Sequence, residues 1–268
     1  MRAFLRELMW PVIRFIMRVI GLNPLTFAHS EMGIMDSDIE KNGEAFLLEQ
    51  LSQSDNQDWV FFDVGANIGK YSTLIKKHFP NATVHAFEPN PAAYEFLIKV
   101  PDINHYNVGL GTKKESLPLY TPFESKSGSH SSLVPESLIW GKAEHIQEVR
   151  LDTLAHYFNE LNLTHIDFMK MDVEGYEIDV LLGAGELIEK IRFIQFEFNH
   201  HLIFRKMYLL DFYTILSNFD FYRITPRGLK QLASYEPVNE IFLMQNILAV
   251  NKSLVGKPEL SFLKFRKS

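Results

Sequence analysis

A chain of 268 residues with 46% apolar and 22% charged residues is long enough for one large α/β domain or two small ones, and its composition excludes a disordered or collagen-like polymer. It contains no cysteine, which removes disulfide scaffolds, thiolate metal sites and a cysteine nucleophile, so any catalysis must use oxygen or nitrogen groups. With 27 Lys and Arg against 33 Asp and Glu, the formal charge of -6 opposes a role in wrapping nucleic acid, and a small molecule or a glycan is the expected partner.

The first twenty residues, MRAFLRELMWPVIRFIMRVI, carry Arg2, Arg6, Arg14 and Arg18, too many charges for a spanning helix or for the apolar core of a cleaved signal. At 100° per residue the four arginines and Glu7 fall on one half of the wheel. Phe4, Leu5, Leu8, Val12, Phe15, Ile16 and Val19 fall on the other, and Pro11 should kink or divide the helix. A basic amphipathic helix over residues 1–22 leaves two destinations open: an anionic membrane surface, or a cover over its own domain or a dimer partner, with the cover as the default. Residues 1–50 are thus expected to form a helical extension. The expected location is cytoplasmic, with peripheral membrane contact and a homo-oligomer left open.

From Trp59 onward, short runs rich in β-branched and aromatic residues alternate with longer segments of helical period, the pattern of βαβ units in a parallel sheet. Strands are expected at 59–64, 83–88, 104–109, 166–172, 192–198, 219–225 and 240–250, and helices at 68–78, 91–99, 152–162, 176–190 and 207–217. This is a doubly wound α/β fold of seven mostly parallel strands over residues 51–268. The last two strands, joined by the turn-rich TPRGLKQLASYEPVN, should pair antiparallel at one edge. An acceptor-side insertion at about 111–150 interrupts the rhythm. It offers His130 as a base, Ser131 and Ser132 as hydrogen-bonding groups, and Phe123 or Trp140 as stacking surfaces. The closing SFLKFRKS reads as a solvated tail carrying Lys264, Arg266 and Lys267.

The strongest local signal is FFDVGANIGKYS, where a strand ends in Asp63, turns through Gly65 and Gly69 and enters a helix. Such a turn brings backbone and free amides close to a ligand. A dinucleotide fingerprint requires a middle glycine where Asn67 stands, and a phosphate-binding loop requires wider glycine spacing and a hydroxyl where Tyr71 follows the lysine, so neither fits. Asp63 would repel phosphate and attract an ammonium group, while Glu88, nineteen positions after Gly69, is placed to take a ribose diol. An adenosine joined to an amino acid satisfies both acids. The structural alternative has Asp63 capping the next helix and Glu88 preceding the EPNP turn.

These motifs, together with NVGLG, SSL, VRLDTL and IDFMKMDVEGYEIDVLLGA, resemble the FkbM family within the class I S-adenosylmethionine-dependent methyltransferases, over about Val60 to Asn199. The resemblance implies a Rossmann-like methyltransferase fold with S-adenosylmethionine as cofactor. Asp63, Gly65, Asn67 and Gly69 would surround its methionine part and Glu88 its ribose, with Ala66, Tyr71, Ser72, Asn90 and Asp172 completing the candidate cofactor set. It also implies methylation of a hydroxyl, often on a sugar or secondary metabolite. An N- or protein methyltransferase and an idle membrane-peripheral scaffold are the alternatives.

Methyl transfer to a hydroxyl wants collinear donor and acceptor and a base for the proton. The candidate catalytic residues are Asp172, Lys170, Glu174 and Glu197. Asp172 ends the fourth strand, where it could contact the cofactor amine or take the proton with Lys170 tuning its charge, or form a structural ion pair with it. Glu177 suits the start of a helix in any protein. Glu197, Asn199 and Asp172 could supply oxygen ligands to magnesium, but a divalent cation is not expected, and His200 and His201 remain candidate bases.

Overall fold

In the computed structural model the described residues are 2–54, 58–122, 130–138, 143–256, 260–261 and 263–265, with side chains omitted for 2–8 and 143–144. Phe123, Trp140, Arg266 and Lys267 lie outside them. The amino-terminal fifty residues form three helices, α1 (Arg2–Val19), α2 (Pro24–Glu31) and α3 (Glu44–Leu51). Asn23 caps α2 by accepting the amide N–H of Leu25, with Pro24 at the first helical position. No single helix among the described residues is long and apolar enough to cross a membrane.

The rest builds one large sheet and one small one. Parallel strands β1 (Val60–Val64), β2 (Thr83–Phe87) and β3 (Asn104–Tyr106) alternate with α4 (Lys70–His78) and α5 (Pro91–Leu97). After the insertion come α6 (Leu154–Glu160), β7 (Ile166–Met171), α7 (Glu177–Ala184) and β8 (Ile191–Phe198). The chain closes through α8 (His201–Phe204), α9 (Leu209–Ile215), β9 (Phe219–Thr225), β10 (Gly228–Leu232) and β11 (Gln245–Asn251). The strand order is β10-β9-β11-β8-β7-β1-β2-β3. The chain leaves β1 toward β2 on one side and later returns as β7 on the other. That switch point opens a crevice at the carboxyl ends of β1 and β7.

Two expectations are corrected. The large sheet has eight strands, because GLKQL, expected as turn, forms β10 and pairs antiparallel with β9. Consequently β10 is the antiparallel edge, and β11 lies inside the sheet, antiparallel to both β8 and β9. The insertion is not irregular throughout: β5 (Glu115–Pro122) and β6 (Ala143–Asp152) form an antiparallel pair, completed by β4 (Gly109–Leu110) as a second sheet.

Strand alternation sorts the core into two layers. Phe62 and Val64 of β1 join Phe196, Phe198 and Phe212 on one face. Phe61 joins Trp59, Phe79, Phe168 and Phe193 on the other, where α3 and α4 pack. The ring of Phe196 stacks on that of Phe212 at 4.1 Å, and both are fully buried. Phe196→Ala should therefore cost about 3–5 kcal/mol and lower the melting temperature by roughly 10 °C. Calorimetry showing an unchanged transition would remove this pair from the set that holds β8 to α9.

Candidate active site

The turn after β1 is shaped by left-handed backbone at Gly65 (φ 79°), Asn67 (φ 51°) and Gly69 (φ 83°). A Cβ on Gly65 would stand 1.9 Å from the carbonyl oxygen of Asp172, so only glycine lets the turn lie against the end of β7. The amide N–H groups of Gly65 and Ala66 donate to the Phe87 carbonyl, which ties the turn to β2 as well. A cleft of about 720 Å³, counting its open mouth, lies above these strand ends. Gly65, Asn67 and Glu88 line it on the turn side, Asp172, Val173, Glu174 and Tyr176 at the end of β7, and Leu119, His130, Ser131 and Leu133 from the insertion.

Of the candidate cofactor residues, Gly65, Asn67, Glu88 and Asp172 line this cleft. The carboxylate of Glu88 accepts the amide N–H of Asn67 on one oxygen and that of Asn90 on the other, each at 2.8 Å. Burial pushes its pKa up to about 7 against the pull of those two amides. Asn67 Oδ1 has no hydrogen-bond partner. The turn side of the cleft is therefore lined by the Glu88 carboxyl, with the buried Asn67 Oδ1 left without a partner beside it.

The remaining cofactor candidates sit beside or beneath the turn, away from the cleft lining. Asp63 is fully buried and accepts the Ser72 hydroxyl at 2.6 Å, while its second oxygen has no partner. Tyr71 donates to Gln195 at 2.9 Å. Ala66 packs with Ala86 and Leu97, and Gly69 begins α4 against Leu97 and Val100. Asn90 caps α5 through the amide of Ala92 and donates to Ser131 of the insertion at 3.1 Å.

Among the catalytic candidates, Lys170 is buried below the cleft and pairs with Asp172 at 3.1 Å. In the register of β1 and β7 it stands opposite Asp63, and its ammonium lies 5.0 Å from the centre of the Tyr71 ring. Burial opposes the charge, but Asp172, Asp63 and Glu44 together hold the Lys170 pKa above its ordinary value. Glu174 occupies a left-handed conformation (φ 52°) in the loop between β7 and α7. Its carboxylate meets His201 Nε2 at 2.8 Å and His130 Nδ1 at 3.7 Å. Burial alone would raise its pKa, but the two imidazoles hold it well below the usual carboxylate range. Glu197 goes the other way. Burial, then the charges of Asp172 and Glu174, push it well above the usual range although it accepts from Asn199 Nδ2.

Asp172, Glu174 and Glu197 can bring one oxygen each within 4.8 Å of one another, an arrangement that suits a hard divalent cation by donor type. Glu174 and Glu197 already have His201 and Asn199 as partners. His201 is buried and shared between Glu174 and the Ser137 hydroxyl, and His200 contacts the Ser137 carbonyl at 3.1 Å. His130, by contrast, lines the cleft with a largely exposed ring, and hydrogen bonding to Glu174 raises its pKa against burial. Ser132 is buried and donates to the Glu174 carbonyl at 2.8 Å, so it fastens the insertion to the β7–α7 loop, while Ser131 faces the cleft. The sequence reading missed the apolar lining of Leu110, Leu119, Leu133 and Leu151; alternation along β5 and β6 was an available signal for Leu119 and Leu151.

Residues 63–222 match the methyltransferase FkbM domain, and the chain belongs to that family. It is 31% identical over 148 residues to Methyltransferase 1 of Beauveria bassiana, covering 48% of this chain and 59% of that protein. It is 26% identical over 157 residues to the hexuronic acid methyltransferase AglP of Haloferax volcanii, covering 57% and 61% respectively. To the 2-O-methyltransferase NoeI of Sinorhizobium fredii it is 24% identical over 196 residues, covering 67% and 80%. The chain thus spans about three fifths of the length of the fungal and archaeal relatives.

Two measurements test the electrostatics. Lys170→Met leaves Asp63 and Asp172 without their shared cation and should cost about 3–5 kcal/mol, with partial recovery in the double variant carrying Asp63→Asn. Additive losses in that cycle would mean that the two do not interact. Glu177 is fully buried, one oxygen accepting the amides of Val173 and Gly175 and the other without a partner, and burial raises its pKa to about 7. For a carboxyl raised in the folded state, the stabilisation is complete below the unfolded value near 4.5 and is lost as pH rises through 7. Urea titrations should find the stability of Glu177→Gln relative to wild type increasing with pH across that window, and a constant difference would contradict the assignment.

Proposed function

We propose that the chain is an S-adenosylmethionine-dependent O-methyltransferase acting on a hydroxyl of a sugar, glycan or small metabolite. The carrying observation is the row of acceptors on the turn side of the cleft: the Glu88 carboxylate, fixed by two amides, and the unpartnered Asn67 Oδ1. A ribose diol and an ammonium group are donors, so an adenosyl amino acid fits this row, whereas a diphosphate would meet acidic and acceptor groups. Asp172, fixed by Lys170 and in contact with the Gly65 turn, belongs to the same end of the cleft. Relatives named for hexuronic acid and 2-O-methylation support the acceptor class.

When bound, S-adenosylmethionine supplies a methyl group on a sulfonium that departs as a neutral thioether. The chain must hold the acceptor hydroxyl in line and remove its proton. His130 is the group for the proton: its ring faces the cleft from the insertion, opposite the turn, and Glu174 stabilises the imidazolium that results. Glu174 is in turn held by His201, which makes His201 and Ser137 positioning residues. Leu119, Leu133 and Leu151 supply the apolar wall against which an acceptor ring would lie.

Calorimetric titration should detect binding of S-adenosylmethionine and S-adenosylhomocysteine but not NAD, with added magnesium as a separate variable. Glu88→Gln and Asp172→Asn should each weaken that binding by roughly tenfold or more, the loss of a charge-assisted hydrogen bond. His130→Gln should leave it unchanged and lower kcat by about a hundredfold in radiolabelled methyl transfer to sugar acceptors. Absence of adenosyl binding in folded protein would overturn the proposal, and wild-type turnover in His130→Gln would remove that residue as the base.

A further inference from the structure

Helices α1 and α2 are bent by 97° between Met9–Val19 and Pro24–Glu31, and no residue from 9 to 32 is buried. The default expectation is a cover over its own domain or a dimer partner, and the first of these is not met. Trp10, Val12, Phe15, Ile16, Val19 and Leu25 all face outward, Phe15 and Val19 each at 68% exposure. A row of this kind left in water is unfavourable, at about 25 cal/mol for each Å² of apolar surface.

Charge indicates what covers it. The chain as a whole is acidic, yet its first twenty residues hold four arginines against Glu7, and the wheel sets them on the half opposite Val12, Phe15, Ile16 and Val19. Arg14 lies over the Trp10 ring at 5.5 Å, a contact within the arginine half of the helix. Eighteen residues of helix with four arginines cannot cross a bilayer, but such a helix fits the plane of an anionic interface, with the aromatic rings at headgroup depth.

The point of attachment sets the orientation. The amide of Met35 donates to the Met244 carbonyl at 2.8 Å, Arg227 pairs with Glu31 at 2.9 Å, and Gly33 lies against the Ile224 carbonyl. Met244 precedes β11, whose first residue pairs with Phe198 at the end of β8, and Arg227 follows the end of β9. The helices thus leave from the edge of the sheet at which the cleft opens. We propose that residues 2–27 form an in-plane anchor for an anionic membrane surface, holding the cleft edge of the domain next to the lipid. This proposal is independent of the methyl-transfer reading.

The test is sedimentation of the full chain with phosphatidylcholine vesicles containing phosphatidylglycerol, against pure phosphatidylcholine. Wild type should bind the anionic vesicles, lose binding as salt is raised, and bind the neutral ones weakly. Arg14→Glu with Arg18→Glu should weaken binding by roughly tenfold or more, and Phe15→Asp with Val19→Asp should abolish it, both with unchanged melting temperature because these side chains are exposed. Since the chain has no cysteine, Met35→Cys and Asn81→Cys can each carry an environment-sensitive dye. The dye at position 35, on the cleft edge, should shift to the blue on anionic vesicles, and that at 81, before β2 at the opposite edge, should not. Wild type that stays in solution with both vesicles would overturn the anchor. So would a dimer by light scattering that Phe15→Asp with Val19→Asp dissolves, since a second copy would then be the occupant. A blue shift at 81 alone would overturn the orientation.

Discussion

Lys170 lies under the cleft with Asp63 opposite it on β1, Asp172 two residues further along β7, and Glu44 at the start of α3 also acting on it. One cation thus serves three carboxylates, of which Asp63 and Glu44 are buried and Asp172 opens onto the cleft. Burying any of those acids without it would cost several kcal/mol, and the cation alone would be as costly. The arrangement is mutual: Asp63 anchors the strand before the glycine turn and, through Ser72, the helix after it, and Asp172 anchors the loop that leads to Glu174. The cleft's floor and both of its rims depend on this set of charges.

Glu44 extends the same network to the amino-terminal segment. Its carboxylate accepts from Asn42 and Gln195, and Gln195 also accepts from Tyr71. Residues 42–51 are therefore built into the same packed fold as the large sheet. The burial of α3 against the Phe61 face agrees with this, since Leu47, Leu48 and Leu51 are core residues. What stands apart from the domain is α1 and most of α2, tied to it by Glu31, which pairs with Arg227, and by the segment from Met32 to Met35.

Much of this was legible in the sequence. The alternation of β-branched runs with helical periods located β1, β2, β7, β8 and β9 within a residue or two, because strands buried on both faces are continuous apolar runs. β10 was not legible: GLKQL sits among turn formers, and its pairing with β9 is a tertiary fact. The glycine turn announced the cleft, but which side chains face it did not follow from proximity in sequence. Strand and helix alternation sends Asp63, Tyr71 and Ser72 to the α4 side of the sheet, while Asn67 and Glu88 project into the cleft. His130 was visible only as a histidine in an irregular insertion. Its pairing with Glu174 arises because Ser132 pins the insertion to the Glu174 carbonyl.

The strand ends collect Asp172, Glu174, Glu177 and Glu197 in one small region, and four like charges there would repel strongly. The fold separates them by giving each a different partner. Lys170 stands beside Asp172; His130 and His201 hold Glu174 ionised; Glu177 and Glu197, faced with amides and burial rather than cations, are pushed upward. Environments that drive neighbouring carboxyls apart in this way are how one fold keeps some acids charged and others protonated at a single pH. Asp172 and Glu174, the two with basic partners, line the cleft, and Glu177 and Glu197 do not. A further charge on Glu197 would add to the repulsion among Asp172 and Glu174, and burial opposes it. The Glu174–His130 pair on the insertion side and the Asp172–Lys170 pair on the turn side therefore stand as separate units.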